Sequence, residues 1–284
     1  MTEAAGNAEL LCDSLCVFLD ILGFTEVIKR IEETGSEEDF ARLHEAYSTG
    51  IAQLHTSRSD RGTRGFQWEI RTFTDNVFLS FPLSSNDGEV ELGFLVEDVA
   101  RFQLHLANRG YFTRGGLSLG RNFIDESMIF GPALVEAYQL ESRMARDPRI
   151  VLGPTVAELV QQQIGYYDPP HSAPQNSEFL RDADGQIFIN YLEAAIVDTD
   201  NGPQLNMEMM EAHRERIEAG LRSNVATPQV WSKYRWLASY HNWFLDSAFE
   251  HGYTHDATFV DHSLAAAHPQ RIHRSPHDPE IEED

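Results

Sequence analysis

Cysteine is scarce: the 284-residue chain has two, Cys12 and Cys16. A single pair four residues apart makes neither a disulfide framework nor a zinc site, which points to a reducing cytoplasm. Basic residues are outnumbered, 22 Lys and Arg against 45 Asp and Glu, for a formal charge of −23. Duplex nucleic acid is bound largely by Lys and Arg on phosphates, so no nucleic-acid partner is expected. A small anionic ligand is still allowed, because a bound cation or a few local donors reverse the sign at one site. Long apolar runs are also missing. None approaches the ~18 residues of a membrane span, and no membrane partner is expected. The opening MTEAAGNAELL is acidic and lacks the basic region of a signal peptide. The apolar fraction, 42%, is ample for a buried core.

Periodicity predicts an alternating order of strands and helices. Leu15–Leu19 reads as a strand buried on both faces, and Glu26–Glu33 as a short helix. Phe40, Leu43, Tyr47, Ile51 and Leu54 recur at helical spacing. FQWEIRTF (Phe66–Phe73) and NVFLSF (Asn76–Phe81) alternate as strands, and the short interval at Thr74-Asp75 makes them a hairpin. Leu95, Val99, Phe102 and Leu106 mark a helix that stops near Gly110. Glycines in the strand YFTRGGLSLG (Tyr111–Gly120) imply close approach of a backbone or ligand. Gly131–Ala145 is a helix with proline at its start. RIVLG, PTVAELVQQQ and a final strand near Ile187–Leu192 follow.

Stripped of additions, this is a βαββαβ unit: an α+β, ferredoxin-like domain with a mainly antiparallel sheet and helices on one face. The expected division is a domain over 1–203, a helical extension over 204–250 rich in Trp and Tyr, and a disordered tail over 251–284. The tail's His251, His255 and Asp256 read as solvated residues in preference to a metal site.

One stretch, FLDILGFTEV, ends a core strand on an acid and turns at once through Gly23, Phe24 and Thr25 into a helix. In a βαββαβ sheet the first strand lies beside the third, so Asp20 and the hairpin residue Asp75 meet at one sheet edge. Two adjacent carboxylates repel unless a proton or cation sits between them. Oxygen ligands of this kind suit Mg²⁺ or Mn²⁺ completed by phosphates, with the Ile21 carbonyl as a further ligand. The Gly23-Phe24-Thr25 turn offers N–H groups at a helix N-terminus to a phosphate. Taken singly, each Asp also fits a cap or turn role.

FLDILGFTEV resembles the first metal-binding motif of class III nucleotide cyclases, and RTFTDN (Arg71–Asn76) resembles the second. FLDILGF, FTDNVFLSF, RGGLSLG, GPALVEAYQLE and KYRWLASYHNWF together look like the pyrimidine cyclases of bacterial Pycsar anti-phage systems. The resemblance covers roughly residues 13 to 193. It implies conversion of UTP to cyclic UMP, or CTP to cyclic CMP, with two divalent ions (Mn²⁺ or Mg²⁺) on Asp20, Ile21 and Asp75. It implies a cyclic product read by a separate effector protein, and a head-to-tail homodimer whose two sites lie between subunits. Phe18, Phe24, Thr25, Tyr47, Arg71 and Asn76 would contact substrate. Arg71 stands where adenylate enzymes carry a base-reading Lys, and its planar fork suits two acceptors. Met128 falls at the second base-reading position, and Val135 and Gln139 replace the usual transition-state Asn and Arg. Arg114 and Asn76 are then the candidates for steadying the transition state.

Blander readings stand beside these. Tyr47 shares its helical phase with Leu43 and Ile51, which is core packing. Arg71 could pair with Glu69 on the strand surface. The absent Asn and Arg also fit a sensor that binds a nucleotide without turnover. A nucleotidyl transferase would give polymer or adduct in place of a cyclic monomer.

Overall fold

The structure is a computed structural model that describes residues 11–63, 68–84, 87–124, 128–250, 259–260 and 270–271. His251, His255 and Asp256 lie outside these residues. The chain opens with β1 (Cys12–Ile21), α1 (Phe24–Thr34), α2 (Glu37–Thr63), β2 (Glu69–Phe73), β3 (Asn76–Pro82), α3 (Glu89–Ala107) and β4 (Thr113–Ile124). Then come β5 (Ile129–Phe130), α4 (Pro132–Arg143), β6 (Ile150–Leu152), α5 (Pro154–Ile164), α6 (Gln175–Glu178), β7 (Phe179–Arg181) and β8 (Ile187–Ile189). Last are β9 (Ile196–Thr199), β10 (Gly202–Leu205), α7 (Met207–Ser223), α8 (Pro228–Glu250) and β11 (Gln270–Arg271).

The main sheet runs β11-β7-β8-β6-β4-β1-β3-β2, with β5 on β4. Its β4-β1-β3-β2 centre is the expected βαββαβ order, antiparallel throughout, and only the β4–β6 pair is parallel. Alternation along β1 sends Leu15, Val17, Leu19 and Ile21 into the large core beneath α2 and α3. Cys16 and Phe18 point to the other face, against Phe78 and the α4 residues Ala133 and Leu134. Helices therefore cover both faces at the centre, with α4 alone on the second.

The glycines of β4 explain how α4 comes so close. A Cβ at Gly116 would lie 2.4 Å from the Ala137 carbonyl oxygen and 2.5 Å from Leu140 Cβ. The close neighbour implied by sequence is thus a helix backbone. The stop of α3 is also as expected: Gly110 takes φ +89°, and the Tyr111 N–H closes the turn on Leu106 O at 3.0 Å.

The last expected strand is cut short. Asn190 and the residues after it turn into a 3-10 segment, Tyr191–Ala195. Tyr240 of α8 draws the chain in, its hydroxyl donating to Asn190 Oδ1 at 2.6 Å and accepting from Leu192 N–H at 3.0 Å. The expected linker near Gly202 is the turn of the β9–β10 hairpin. Within the stretch expected to lack order, Gln270 and Arg271 pair with Arg181 and Leu180 of β7. Val260 is clamped by Asn242, whose side chain donates to its carbonyl at 2.7 Å and accepts its N–H at 2.9 Å.

Helices α7 and α8 share the core of the sheet: Ile217, Leu221, Trp236, Tyr240 and Phe244 belong to the same cluster as β1 and α3. A buried ion cluster adds to this. Arg149, fully enclosed just before β6, pairs with Asp182 and Asp184, and Trp236 donates its indole N–H to Asp182 at 2.7 Å.

Two expectations follow. Gly116→Ala forces α4 off the sheet and should cost about 1–3 kcal/mol, read as a lower midpoint in urea unfolding. Burial, and then the charges of Glu193, Glu89 and Glu97, push the Glu178 carboxyl up to about 7. Its folded form holds a proton that the unfolded chain releases, so this acid's contribution falls as pH rises from the ordinary carboxylate range through about 7. Glu178→Gln should therefore raise the thermal midpoint at pH 8 and leave it nearly unchanged at pH 4; equal shifts at both pH values would contradict this.

Candidate active site

The site is built at the C-terminal end of β1. Register places Leu19 opposite Val77 of β3, and Asp20 opposite Arg114 of β4. The β2–β3 hairpin closes through the two-residue loop Thr74-Asp75, with Phe73 paired to Asn76. Asp75 thus arrives beside Asp20, close enough for each carboxyl group to act on the other. Burial first, and then the Asp75 contact, push Asp20 up to about 7; the Arg114 guanidinium works in the opposite direction. Such a pair needs a proton or a cation between its members.

Neighbours hold each acid in place. Asp75 is buried, and its Oδ1 accepts from Thr74 Oγ1 at 2.9 Å and, more distantly, from Asn76 Nδ2 at 3.5 Å. Thr74 adopts φ +56°, the left-handed region, which is costly for a β-branched residue. The Phe73 carbonyl lies 2.6 Å from the same Oγ1 and shares its single proton with Asp75. Arg114 donates from Nε to Asp20 Oδ2 at 3.2 Å and places Nη2 2.8 Å from Glu141 of α4. Glu141 is buried, which raises its pKa; Arg114 opposes the rise and Asp75 adds to it.

Gly23 at φ +75° turns the chain from β1 into α1. The Leu22 N–H is taken by Phe112 O at 2.8 Å, while the N–H groups of Gly23, Phe24 and Thr25 find no acceptor among the described residues. These are the donors a phosphate would use. Tyr47 packs partly in the core, yet its buried hydroxyl faces Thr72 and Asp75 without a sound hydrogen bond. Burial, the first cause, raises that phenol to about 12.

The remaining candidates lie farther out. Phe18 is on the same face as Asp20 and meets Tyr138 of α4 edge-on at 5.5 Å. Arg71 is on β2 opposite Phe78, with Nη1 3.3 Å from Glu69 and 2.6 Å from the Ile70 carbonyl. The surface ion pair anticipated for it is therefore present. Met128 precedes β5, whose Ile129 pairs with Ile124. That is the far end of β4 from Arg114, about 30 Å at the rise of a strand, so Met128 does not reach Asp20 of its own chain. Val135 and Gln139 are exposed on α4.

Thr74 and Glu141 were not visible as site residues in the sequence. Thr74 carries one signal, its place in a two-residue loop where Gly or Asn is usual. Glu141 carries none, being one acid among several on an amphipathic helix.

The donor set fits a hard cation. Two carboxylates and the adjacent Ile21 carbonyl are the ligands Mg²⁺ or Mn²⁺ takes when phosphates and water complete the shell. Among the described residues, no three His, Cys, Asp or Glu side chains converge as an all-protein cage.

No protein-family model matches the chain, and no curated protein matches it. Solved structures do. A bacterial light-regulated adenylyl cyclase matches at TM-score 0.37 and 17% identity, over 52% of this chain and 45% of that one. The catalytic core of a rhodopsin-guanylyl cyclase with converted specificity, in complex with ATPαS, matches at 0.39 and 13%, over 63% and 94%. A class III adenylyl cyclase-like ATP-binding protein from Pseudomonas aeruginosa matches at 0.37 and 14%, over 55% and 37%. The chain thus spans under half the length of the first of these, and the functional reading rests on the site's own geometry.

Thr74→Gly should relieve strain of about 1 kcal/mol or more while freeing Asp75 Oδ1. The expected result is an unchanged or higher thermal midpoint together with Mn²⁺ affinity lowered several-fold in a calorimetric titration. A lower midpoint with unchanged affinity would show that Thr74 serves the fold alone.

Proposed function

We propose that this chain is a class III nucleotide cyclase that converts UTP to 3′,5′-cyclic UMP and pyrophosphate, as a messenger for an effector in anti-phage defence. The observation that carries the proposal is the meeting of Asp20 and Asp75 beside a turn with three uncommitted N–H groups. CTP is the alternative substrate, since Arg71 as a planar donor fits acceptors on either pyrimidine.

In the reaction the ribose 3′-oxygen forms a bond to the α-phosphorus. The bond from that phosphorus to the β-bridging oxygen breaks in line, pyrophosphate leaves, and the hydroxyl proton passes to water. Divalent ions held by Asp20, Asp75 and the Ile21 carbonyl would ease ionisation of the hydroxyl and neutralise the phosphates. The turn at Gly23, Phe24 and Thr25 holds the phosphate end by N–H donation. Asn76 and Thr74 fix the Asp75 rotamer. Arg114, held between Asp20 and Glu141, keeps a cation at the site and has further N–H groups for the charge that develops at phosphorus. Tyr47 borders the pair and can donate its hydroxyl to substrate. Arg71 would exchange Glu69 for the base.

A head-to-tail homodimer with two sites is part of the reading. It is supported by apolar side chains left exposed around α4 and the hairpin: Phe73 at 78%, Phe130 at 59%, Val135 at 53% and Tyr138 at 52%. The exposed Val135 and Gln139, which lack the chemistry of Asn and Arg, favour a second reading, a sensor that binds a nucleotide without turnover. No helix among the described residues is long and apolar enough to cross a membrane.

Incubation with each of the four nucleoside triphosphates and Mn²⁺, followed by chromatography, separates these readings. One cyclic pyrimidine product, lost in Asp75→Ala and reduced about 10²–10³-fold in kcat in Arg114→Ala, is the expected result. Binding with unchanged triphosphate would establish the sensor. Val135→Glu should halve the mass seen in light scattering and abolish turnover.

A further inference from the structure

Lys233 opens the KYRWLASYHNWF stretch of α8, and no role has yet been given to it. The chain contains two lysines, Lys29 and Lys233. Lys233 lies in the first half of α8, next to Tyr234, whose ring meets Phe112 edge-on at 5.6 Å. Phe112 in turn accepts the Leu22 N–H through its carbonyl, in the turn that follows Asp20. Tyr234 is seated by Gly220 of α7, where a Cβ would lie 2.0 Å from the ring. α8 is therefore fastened to the exit of β1 by a ring contact that only glycine permits.

The ammonium of Lys233 is half-buried, and among the described residues it has no salt bridge or hydrogen bond. Burial first, and then the Arg114 cation, lower its pKa, while Asp147, Asp20 and Glu26 favour its charge. Asp147 follows α4, Asp20 lies near the end of β1 and Glu26 is in the first turn of α1, so the charges acting on Lys233 gather at the end of the sheet to which Tyr234 fastens α8. The β1–α1 turn at that end carries the uncommitted N–H groups of Gly23, Phe24 and Thr25. Arg114, a second cation at this end of the sheet, is engaged by Asp20 and Glu141. A partly desolvated cation without a partner is stabilised by an arriving anion, and a compact ammonium on a flexible stem suits a phosphate as a point charge.

We infer that Lys233 binds the terminal phosphates of the nucleoside triphosphate, so that α8 supplies one wall of the phosphate site. The inference rests on the reading of Asp20, Asp75 and the β1–α1 turn as a triphosphate site. α8 then has a role in substrate binding as well as in the core.

The test uses the full chain with Mn²⁺ and α,β-methylene-UTP, which cannot cyclise, in isothermal titration. Lys233→Met, which keeps the apolar stem, should weaken triphosphate binding about tenfold or more and leave UMP binding within about twofold. Lys233→Arg should regain most of the loss. If the wild type binds no triphosphate, the site reading is overturned and this inference with it. If the wild type binds and Lys233→Met binds equally well, the inference alone is overturned. Reductive ¹³C-methylation of the wild type keeps the question decidable if Lys233→Met misfolds. The chain's two lysine resonances are assigned with Lys29→Arg, and the Lys233 signal must move when the analogue is added; a signal that stays in place overturns the inference.

Discussion

The register of β1 is the constraint on which the rest depends. This strand is hydrogen-bonded on both sides, to β3 and to β4, over nearly its whole length. Its odd-numbered residues from Leu15 to Ile21 fill the core, so a slip of one position would put four apolar side chains on the wrong face. Burying them contributes on the order of 6–12 kcal/mol. Keeping Asp20 ionised next to Asp75 costs at most a few kcal/mol. The core therefore wins, and it holds two like charges where neither would settle alone. The repulsion is stored at the site, available to any cation that arrives.

Legibility in the sequence tracks the physical origin of each feature. Asp20 and Asp75 could be placed because each sits at a boundary between periodic segments, and the βαββαβ order brings those boundaries together. The close approach at Gly116 could be read because only a missing side chain explains paired glycines in a core strand. Short elements could not be read: β5 and β11 have two residues each, too few for any period. The tilt from β8 into the Tyr191 turn depends on Tyr240, some fifty residues away, and no local pattern records it. Contacts between distant residues, such as Arg114 with Glu141, were hidden for the same reason.

Two features that depend on unmet hydrogen bonds were candidates in the sequence: the Gly23-Phe24-Thr25 turn as N–H donors to a phosphate, and Tyr47 as a substrate contact. The structure adds that the Gly23, Phe24 and Thr25 N–H groups meet no acceptor among the described residues, and that the buried Tyr47 hydroxyl faces Thr72 and Asp75 without a sound hydrogen bond. Helical phase put Tyr47 against the core, where it packs, and its hydroxyl faces Thr72 and Asp75. Packing and site-building are compatible roles for one long side chain, and a choice between them was never forced. Arg71 shows the converse. Its ion pair with Glu69 is the contact a surface strand residue makes in any case, and the spacing of the two residues made it legible.

The enclosed Arg149 cluster sets a practical boundary for dissecting the molecule. Asp182 is shared between Arg149 and the Trp236 indole, and the Phe188 and Tyr191 rings lie against Tyr240. A fragment cut after β10 would keep the guanidinium and lose the lid that shields it from water. It would also uncover the aromatic faces of Phe112, Phe188 and Tyr191 at once. Such a shortened piece is poorly suited to recombinant production, and deletion studies are better designed to end beyond Val260 than at the seam the primary structure proposes.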